Sequence, residues 1–173
     1  METIEVLHLL RHCRHDLMNQ IQLLQGYMSM NRPEKVKQKL HEMVVEADQQ
    51  RKLMDLQANE FALWLLQVNM SVGQIRVSFE VNDVRENLQC MDAKLLEQTK
   101  QMFAAVEAAG DKNEMYFISM NICKPENVKA TVEIQCRLSA KGIDENKMTT
   151  LLQRQGIQVK FESKEKIILT AVF

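Results

Sequence analysis

The chain has 173 residues, of which 46% are hydrophobic, so it can form one domain of ordinary size or two small ones with a real core. Its net charge of −1 gives no electrostatic reason to expect binding to nucleic acid or to an anionic membrane. The sequence shows neither an N-terminal signal peptide nor a run of about 18 apolar residues, and the four cysteines (Cys13, Cys90, Cys123 and Cys136) form no CxxC pair. We therefore predict a cytoplasmic protein without membrane or nucleic-acid partners, whose cysteines are reduced and buried.

The N-terminal part has the pattern of two long helices. Apolar residues recur mainly at intervals of three and four from Thr3 to Met30, where Arg14 fills a missing step, and again from Pro33 to Leu56. Asn31-Arg32-Pro33 separates the two runs. Helices joined by so short a turn form an antiparallel hairpin. A hairpin alone covers its apolar stripes poorly, so we expect a second copy to complete a four-helix bundle. The alternative is that the C-terminal half of the same chain covers them. The stripes comprise Leu7, Leu10, Leu17, Ile21, Leu24 and Met28 in the first helix, and Val36, Leu40, Met43, Ala47 and Met54 in the second.

Helices and strands alternate after residue 58. The pattern predicts two domains, a helical hairpin over residues 1–57 and an α/β sandwich over residues 58–173 with its helices on one face of the sheet. The predicted elements of the second domain are a short buried helix at Asn59–Met70, a strand at Gln74–Val81, a helix at Met91–Ala109 that ends at Gly110, strands at Glu114–Cys123 and Lys129–Leu138 around a turn at Lys124–Asn127, a helix at Asp144–Gln155 that ends at Gly156, and strands at Ile157–Glu162 and Lys166–Val172.

Three histidines lie close together in the first helix. His8, His12 and His15 follow one another at intervals of four and three, on the side away from the apolar stripe. This position argues against a histidine packed in the core. It leaves an ordinary solvated face, a zinc site in which His8 and His12 have a chelating spacing, or an exposed imidazole that carries a phosphoryl group. The zinc site lacks a further ligand, because Cys13 lies nearer the apolar stripe and Asp16 lies to one side.

The segment RHDLMNQIQLLQGYMSM, from Arg14 to Met30, resembles the phosphoacceptor helix of the sporulation initiation phosphotransferase B family, which acts in the bacterial sporulation phosphorelay, a two-component system. The R-H-D-x-x-N core also occurs in sensor histidine kinases of the citrate and dicarboxylate type. The resemblance implies a homodimer of helical hairpins and a C-terminal domain like a degenerate histidine-kinase ATP-binding domain. It makes His15 the phosphoacceptor, with Asp16 and Asn19 in supporting positions and Gln22 at a motif position one turn further along.

The C-terminal half lacks the residues with which a histidine kinase binds ATP. Such a kinase needs an asparagine on the helix that here spans Asp92–Ala109, where Ala104 and Ala105 stand instead. It also needs glycine-rich loops around the nucleotide, whereas the five glycines here are isolated. The stretch between Cys123 and Leu138 is too short for a nucleotide lid. These absences favour a phosphotransferase over an ATP-dependent kinase.

We therefore predict a histidine phosphotransferase that accepts a phosphoryl group on His15 from the aspartate of one response regulator and passes it to the aspartate of a second. No cofactor is expected on this chain, and Mg²⁺ is expected to come with the regulator. Arg11, His12 and Gln22 are expected to form the face on which the regulators dock. Two alternatives stay open: a non-catalytic dimeric docking module derived from a sensor kinase, and an active histidine kinase with an unrecognised ATP site.

Overall fold

The computed structural model describes residues 3–70, 73–125, 130–139, 141–153, 155–163 and 166–173. Each predicted helix and strand is present, with ends that differ by a few residues, and the predicted turn at Lys124–Asn127 lies partly outside the described residues. The elements are α1 (Thr3–Ser29), α2 (Pro33–Asp55), α3 (Asn59–Val68), β1 (Ile75–Asn82), α4 (Asp92–Ala109), β2 (Tyr116–Cys123), β3 (Glu133–Ser139), α5 (Glu145–Gln153), β4 (Gln158–Ser163) and β5 (Lys166–Val172). No described helix is both long and apolar enough to cross a lipid bilayer.

The chain divides into two compact units, of which the first ends at Gln50 and the second runs from Arg51 to Phe173. The first unit holds α1 and most of α2, which together form the helical hairpin. Its turn forms at Asn31, whose φ of 53° is a left-handed conformation that asparagine adopts more readily than most residues. Pro33 then begins α2, where its fixed φ suits the first helical position. Across the hairpin, the Gln20 amide donates a hydrogen bond of 3.5 Å to the Glu46 carboxylate.

The second unit is a mixed five-stranded sheet with helices on one face, so the predicted fold class, a helical hairpin followed by an α/β sandwich, is confirmed. The strand order is β1-β2-β3-β5-β4, in which β1 pairs with β2 in parallel and the other pairs are antiparallel. Ile118, Met120 and Ile122 point into the core, and the residues between them point to the uncovered face. Helices α3, α4 and α5 cover the core side of the sheet.

Asp92 connects the first turns of two helices. It is the first residue of α4, yet its carboxylate oxygens accept hydrogen bonds from the backbone N–H groups of Glu60 and Phe61 at 2.9 and 2.8 Å. These N–H groups belong to the first turn of α3, where a helix has no internal acceptor for them. The residue just before α3 is Ala58, which has no capping group, so Asp92 supplies the cap from elsewhere in the chain.

Tyr116 holds the end of α4 against the segment that leads into α5. Its hydroxyl accepts a hydrogen bond from the Asp111 N–H at 2.7 Å and donates one to the Gly142 carbonyl at 3.4 Å. A Cβ on Gly110 would lie 2.6 Å from the Tyr116 ring. Gly110 ends α4 as predicted, but with an extended φ of −85°, so it is the close approach of the tyrosine that requires a glycine here.

The prediction that all four cysteines are buried is wrong. Cys13 and Cys90 are exposed, Cys123 is half-buried and only Cys136 lies in the core, although all four are free thiols. Cys13 is on a hairpin of two helices that buries few of its positions, and Cys90 is in the short turn before α4. Burial raises the pKa of the Cys136 thiol to about 12.

Candidate functional site

His15 lies on α1 with 70% of its side chain exposed to solvent. Its Nδ1 atom lies 3.2 Å from Asp16 Oδ1 and 3.2 Å from Asn19 Nδ2. Both neighbours therefore contact the same ring nitrogen. The other nitrogen, Nε2, has no hydrogen-bond partner among the residues that the structure describes, so it is open to an incoming group.

The two contacts of Nδ1 correspond to different tautomers of the imidazole. When Nδ1 carries the proton, it donates to the Asp16 carboxylate and Nε2 keeps its lone pair. When Nδ1 is unprotonated, it accepts a hydrogen bond from the Asn19 amide and Nε2 carries the proton. A hydrogen bond to a charged carboxylate is stronger than one from a neutral amide. Asp16 therefore favours the tautomer in which Nε2 is the nucleophile.

The helix places the other predicted site residues near His15 without bringing them into contact with it. Arg11, His12 and Gln22 stand four residues before, three before and seven after His15, so all three lie on the same side of α1. Each is exposed, and none has a hydrogen bond or ion pair with another described residue. Of the predicted site residues, Asp16 and Asn19 contact His15, while the other three form an open surface beside it.

The zinc interpretation of the histidines finds no support in the geometry. His8 and His12 are both exposed on α1. Within the described residues, no group of three or more histidines, cysteines, aspartates and glutamates lies close enough together to hold a metal ion.

An apolar surface runs along the hairpin on another side from His15. Leu10, Leu17 and Met28 are 58%, 52% and 67% exposed, although they belong to the predicted apolar stripe of α1. On α2, Leu40 is exposed in the same way, whereas Val36 and Met43 are half-buried. The hairpin therefore covers only part of its stripes, and the surface left open is of the kind that marks a protein–protein contact.

A shallow groove in the second unit escaped the sequence prediction. It has a volume of about 320 Å³ and lies between α3, β1 and α4, where the rings of Trp64 and Phe103 pack with their centroids 5.2 Å apart. Ala104 lines the groove and Ala105 is buried beside it, so neither position offers a side chain that coordinates a metal. The sequence signal for this groove was the aromatic content of α3, but aromatic residues are equally typical of a helix that packs in a core.

Comparisons with known proteins point to one family. Residues 1–56 match the family model described as Sensor_kinase_SpoOB-type, alpha-helical domain. The chain is 28% identical over 120 residues to sporulation initiation phosphotransferase B of Bacillus subtilis (strain 168). The match covers 69% of this chain and 62% of that protein, which is less than two thirds of the relative's length.

Two solved structures are also similar to this chain. One is the Erythrobacter litoralis EL346 blue-light activated histidine kinase, with a TM-score of 0.43 and 10% identity over 91% of this chain and 58% of that one. The other is the catalytic domain of histidine kinase ThkA in a nucleotide-free form, with a TM-score of 0.36 and 13% identity over 69% of this chain and 91% of that one.

Proposed function

We propose that this chain, whose residues 1–56 match the Sensor_kinase_SpoOB-type, alpha-helical domain, is a member of the sporulation initiation phosphotransferase B family and a histidine phosphotransferase of a sporulation phosphorelay. The observation that carries the proposal is the state of the His15 ring. Its Nδ1 donates to Asp16 in the tautomer that the carboxylate favours, and its Nε2 is then an open acceptor on an exposed helix face. An imidazole in this state is a competent nucleophile near neutral pH.

The transfer follows from the atoms present. Nε2 attacks the phosphorus of an aspartyl phosphate on one response regulator, the bond from phosphorus to the aspartate oxygen breaks, and the aspartate leaves as a carboxylate. The imidazole becomes positively charged as the new nitrogen–phosphorus bond forms. Asp16, at 3.2 Å from Nδ1, stabilises that charge and holds the proton there. The reverse sequence on a second regulator passes the phosphoryl group to another aspartate.

The regulator completes the site in this proposal. Phosphoryl transfer depends mainly on positioning and on neutralisation of charge. The helix positions the imidazole, and the regulator supplies the Mg²⁺ that neutralises the phosphoryl oxygens. The exposed side chains Arg11, His12 and Gln22 form the docking face beside His15.

The open apolar surface supports a homodimer through the hairpin. A second copy that packs its own Leu10, Leu17 and Met28 against this surface removes the stripe from water and completes a four-helix bundle. A two-fold arrangement does this with the same residues from each copy, and it leaves both His15 rings on the outside of the bundle.

We further propose that the donor is a protein rather than ATP. On α4 the positions expected to hold a metal-binding asparagine are Ala104 and Ala105, and an alanine cannot coordinate Mg²⁺. The isolated glycines do not form the consecutive N–H groups that cradle nucleotide phosphates.

The experiment that tests the proposal is phosphoryl transfer to the purified full chain. One reaction contains a response regulator that carries a radiolabelled phosphoryl group, and a second contains labelled ATP alone. We expect label to arrive from the regulator in an acid-labile, base-stable form and to be lost in His15→Ala. His8→Ala is the matched control, because it removes another exposed histidine of α1, and it should accept label like the wild type.

Each other outcome contradicts part of the proposal. Label that arrives from ATP alone identifies a kinase. Label that survives His15→Ala places the acceptor elsewhere, and no label from either source favours a docking module without chemistry.

A further inference from the structure

The uncovered face of the C-terminal sheet carries polar side chains and a few apolar ones, and its largest exposed apolar side chain lies at one end. At the end where β1 and β2 begin, the strand register places Arg76 beside Phe117 and Ser139 beside Lys166. In the next row across the sheet, Ser119 pairs with Arg137, and Arg137 with Ile168. Side chains two residues apart on a strand share a face, so all of these point to the uncovered side.

Phe117 is 72% exposed, the largest exposed fraction among the large hydrophobic residues that the structure describes. Met115 lies two residues earlier on the same face and is 45% exposed. Phe117 cannot turn inward, because Ile118 and Met120 on the same strand would then turn out of the core. The register of the sheet therefore keeps an aromatic ring in water.

Three cations lie at this end of the face, and none of them has a carboxylate partner among the residues that the structure describes. Arg76 Nη1 donates to the backbone carbonyls of Gly73 and Ile75 at 3.1 and 2.8 Å, and Arg137 Nη2 donates to the side-chain oxygen of Gln135 at 3.2 Å. Lys166 is exposed at the start of β5. We call Arg76, Met115, Phe117, Arg137 and Lys166 the basic aromatic patch.

Two carboxylates of the described residues near this end of the sheet are already paired. Glu114 lies 3.5 Å from Lys141, and Glu162 lies 3.8 Å from Lys160. Among the described strand residues, Glu80 and Glu133 also lie on the uncovered face, in rows nearer its opposite end. Since the whole chain has a net charge of −1, the patch is a local separation of charge rather than a result of composition.

We propose that the basic aromatic patch binds an acidic protein segment that presents an apolar side chain to Phe117. An aromatic anchor beside arginines is typical of the few residues that dominate the binding energy of a protein interface. The unpaired cations select carboxylates around that contact and exclude basic surfaces. The site lies in the second unit and does not involve His15, so it goes beyond the proposed phosphoryl transfer.

The observations favour a protein over a single-stranded nucleic acid. A sheet that binds nucleic acid stacks successive bases on several aromatic side chains along a basic groove. This face offers one exposed ring, and Glu80 and Glu133 would repel a phosphate backbone that continued along it.

The test uses the full chain and a fluorescein-labelled peptide with leucines at its centre and aspartates and glutamates on both sides. We expect saturable binding by fluorescence anisotropy that weakens as salt is added. Phe117→Ser should raise the Kd about tenfold or more, and Arg137→Gln should raise it several-fold. Val172→Ser, which changes an exposed apolar residue at the other end of the same face, should leave the Kd unchanged.

Three results would overturn the proposal: no saturable binding by the wild type, equal losses in Phe117→Ser and Val172→Ser, or tighter binding of oligothymidylate than of the peptide. If Phe117→Ser does not fold, Arg137→Glu and Lys166→Glu apply the same test through charge alone. His15→Ala should bind the peptide like the wild type, so failure of this proposal is distinguishable from failure of the proposed phosphoryl transfer.

Discussion

Replacing Leu17 with alanine should weaken the proposed dimer without unfolding the helices. Leu17 is 52% exposed, so about half of its surface remains to be covered by a partner. Full burial of a leucine side chain contributes about 1.5–3 kcal/mol. Half of that is about 0.8–1.5 kcal/mol for each copy, and a two-fold interface counts it twice, giving about 1.5–3 kcal/mol. The dimer Kd should therefore rise by roughly ten- to a hundredfold.

Sedimentation velocity over a dilution series measures this change, and circular dichroism checks that the helix content is kept. Val45→Ala is the control, since Val45 is 45% exposed but lies two residues from Met43 and so on another side of α2. Leu17→Asp should go further and give monomers or aggregates, because a dimer would bury an unpaired charge. An unchanged Kd in Leu17→Ala, or an equal rise in Val45→Ala, would refute the assignment of the interface.

Other predictions concern the site and the core. Asp16→Asn keeps a hydrogen-bond acceptor for Nδ1 but removes the charge. It should slow label transfer by no more than about fivefold, because an exposed ion pair contributes about 0.2–1 kcal/mol. A hundredfold loss would mean that Asp16 does more than hold the ring. Gly110→Ala should lower the free energy of unfolding by about 1–3 kcal/mol through the clash with the tyrosine ring. Thermal melts measure this change. In the same melts Gly26→Ala should leave the free energy of unfolding unchanged or raise it, because no heavy atom lies within 4 Å of the added Cβ. Cys136 should resist thiol reagents in the folded protein. The pKa of this thiol is about 12 in the folded protein and near 9.0 when exposed, so the unfolded chain loses the proton first. The free energy of unfolding should therefore fall as pH rises above 9. The fall should be smaller in Cys136→Ala.

The periodicity of the sequence predicts most of the fold because each element has a consistent signal. Ile118, Met120 and Ile122 alternate cleanly, so β2 and its buried face follow directly, and with them the outward position of Phe117. That position was a signal for the basic aromatic patch. The patch itself was not predictable, because Arg76 and Lys166 come near Phe117 only through strand pairings that join distant parts of the chain.

The position of His15 on α1 is predictable to the level of the helix face. The angle of His15 around α1 follows from its spacing to the apolar stripe. The choice of Nδ1 as the held nitrogen does not, since it depends on the side-chain torsions of His15, Asp16 and Asn19 together. Gly110 shows the same limit, because a glycine at a helix end suggests a left-handed cap while the actual cause is a tyrosine that folds back onto it.

Asp92 makes the stability of α3 depend on α4. Its carboxylate holds the first turn of one helix from the first residue of another, so any local opening that displaces the start of α4 also releases the amides of Glu60 and Phe61. Hydrogen exchange should therefore show these amides opening together with the first turn of α4 as one cooperative segment, although α3 precedes it by a strand and a loop. The C-terminal unit thus has a point at which two distant stretches of the chain gain or lose order at the same time.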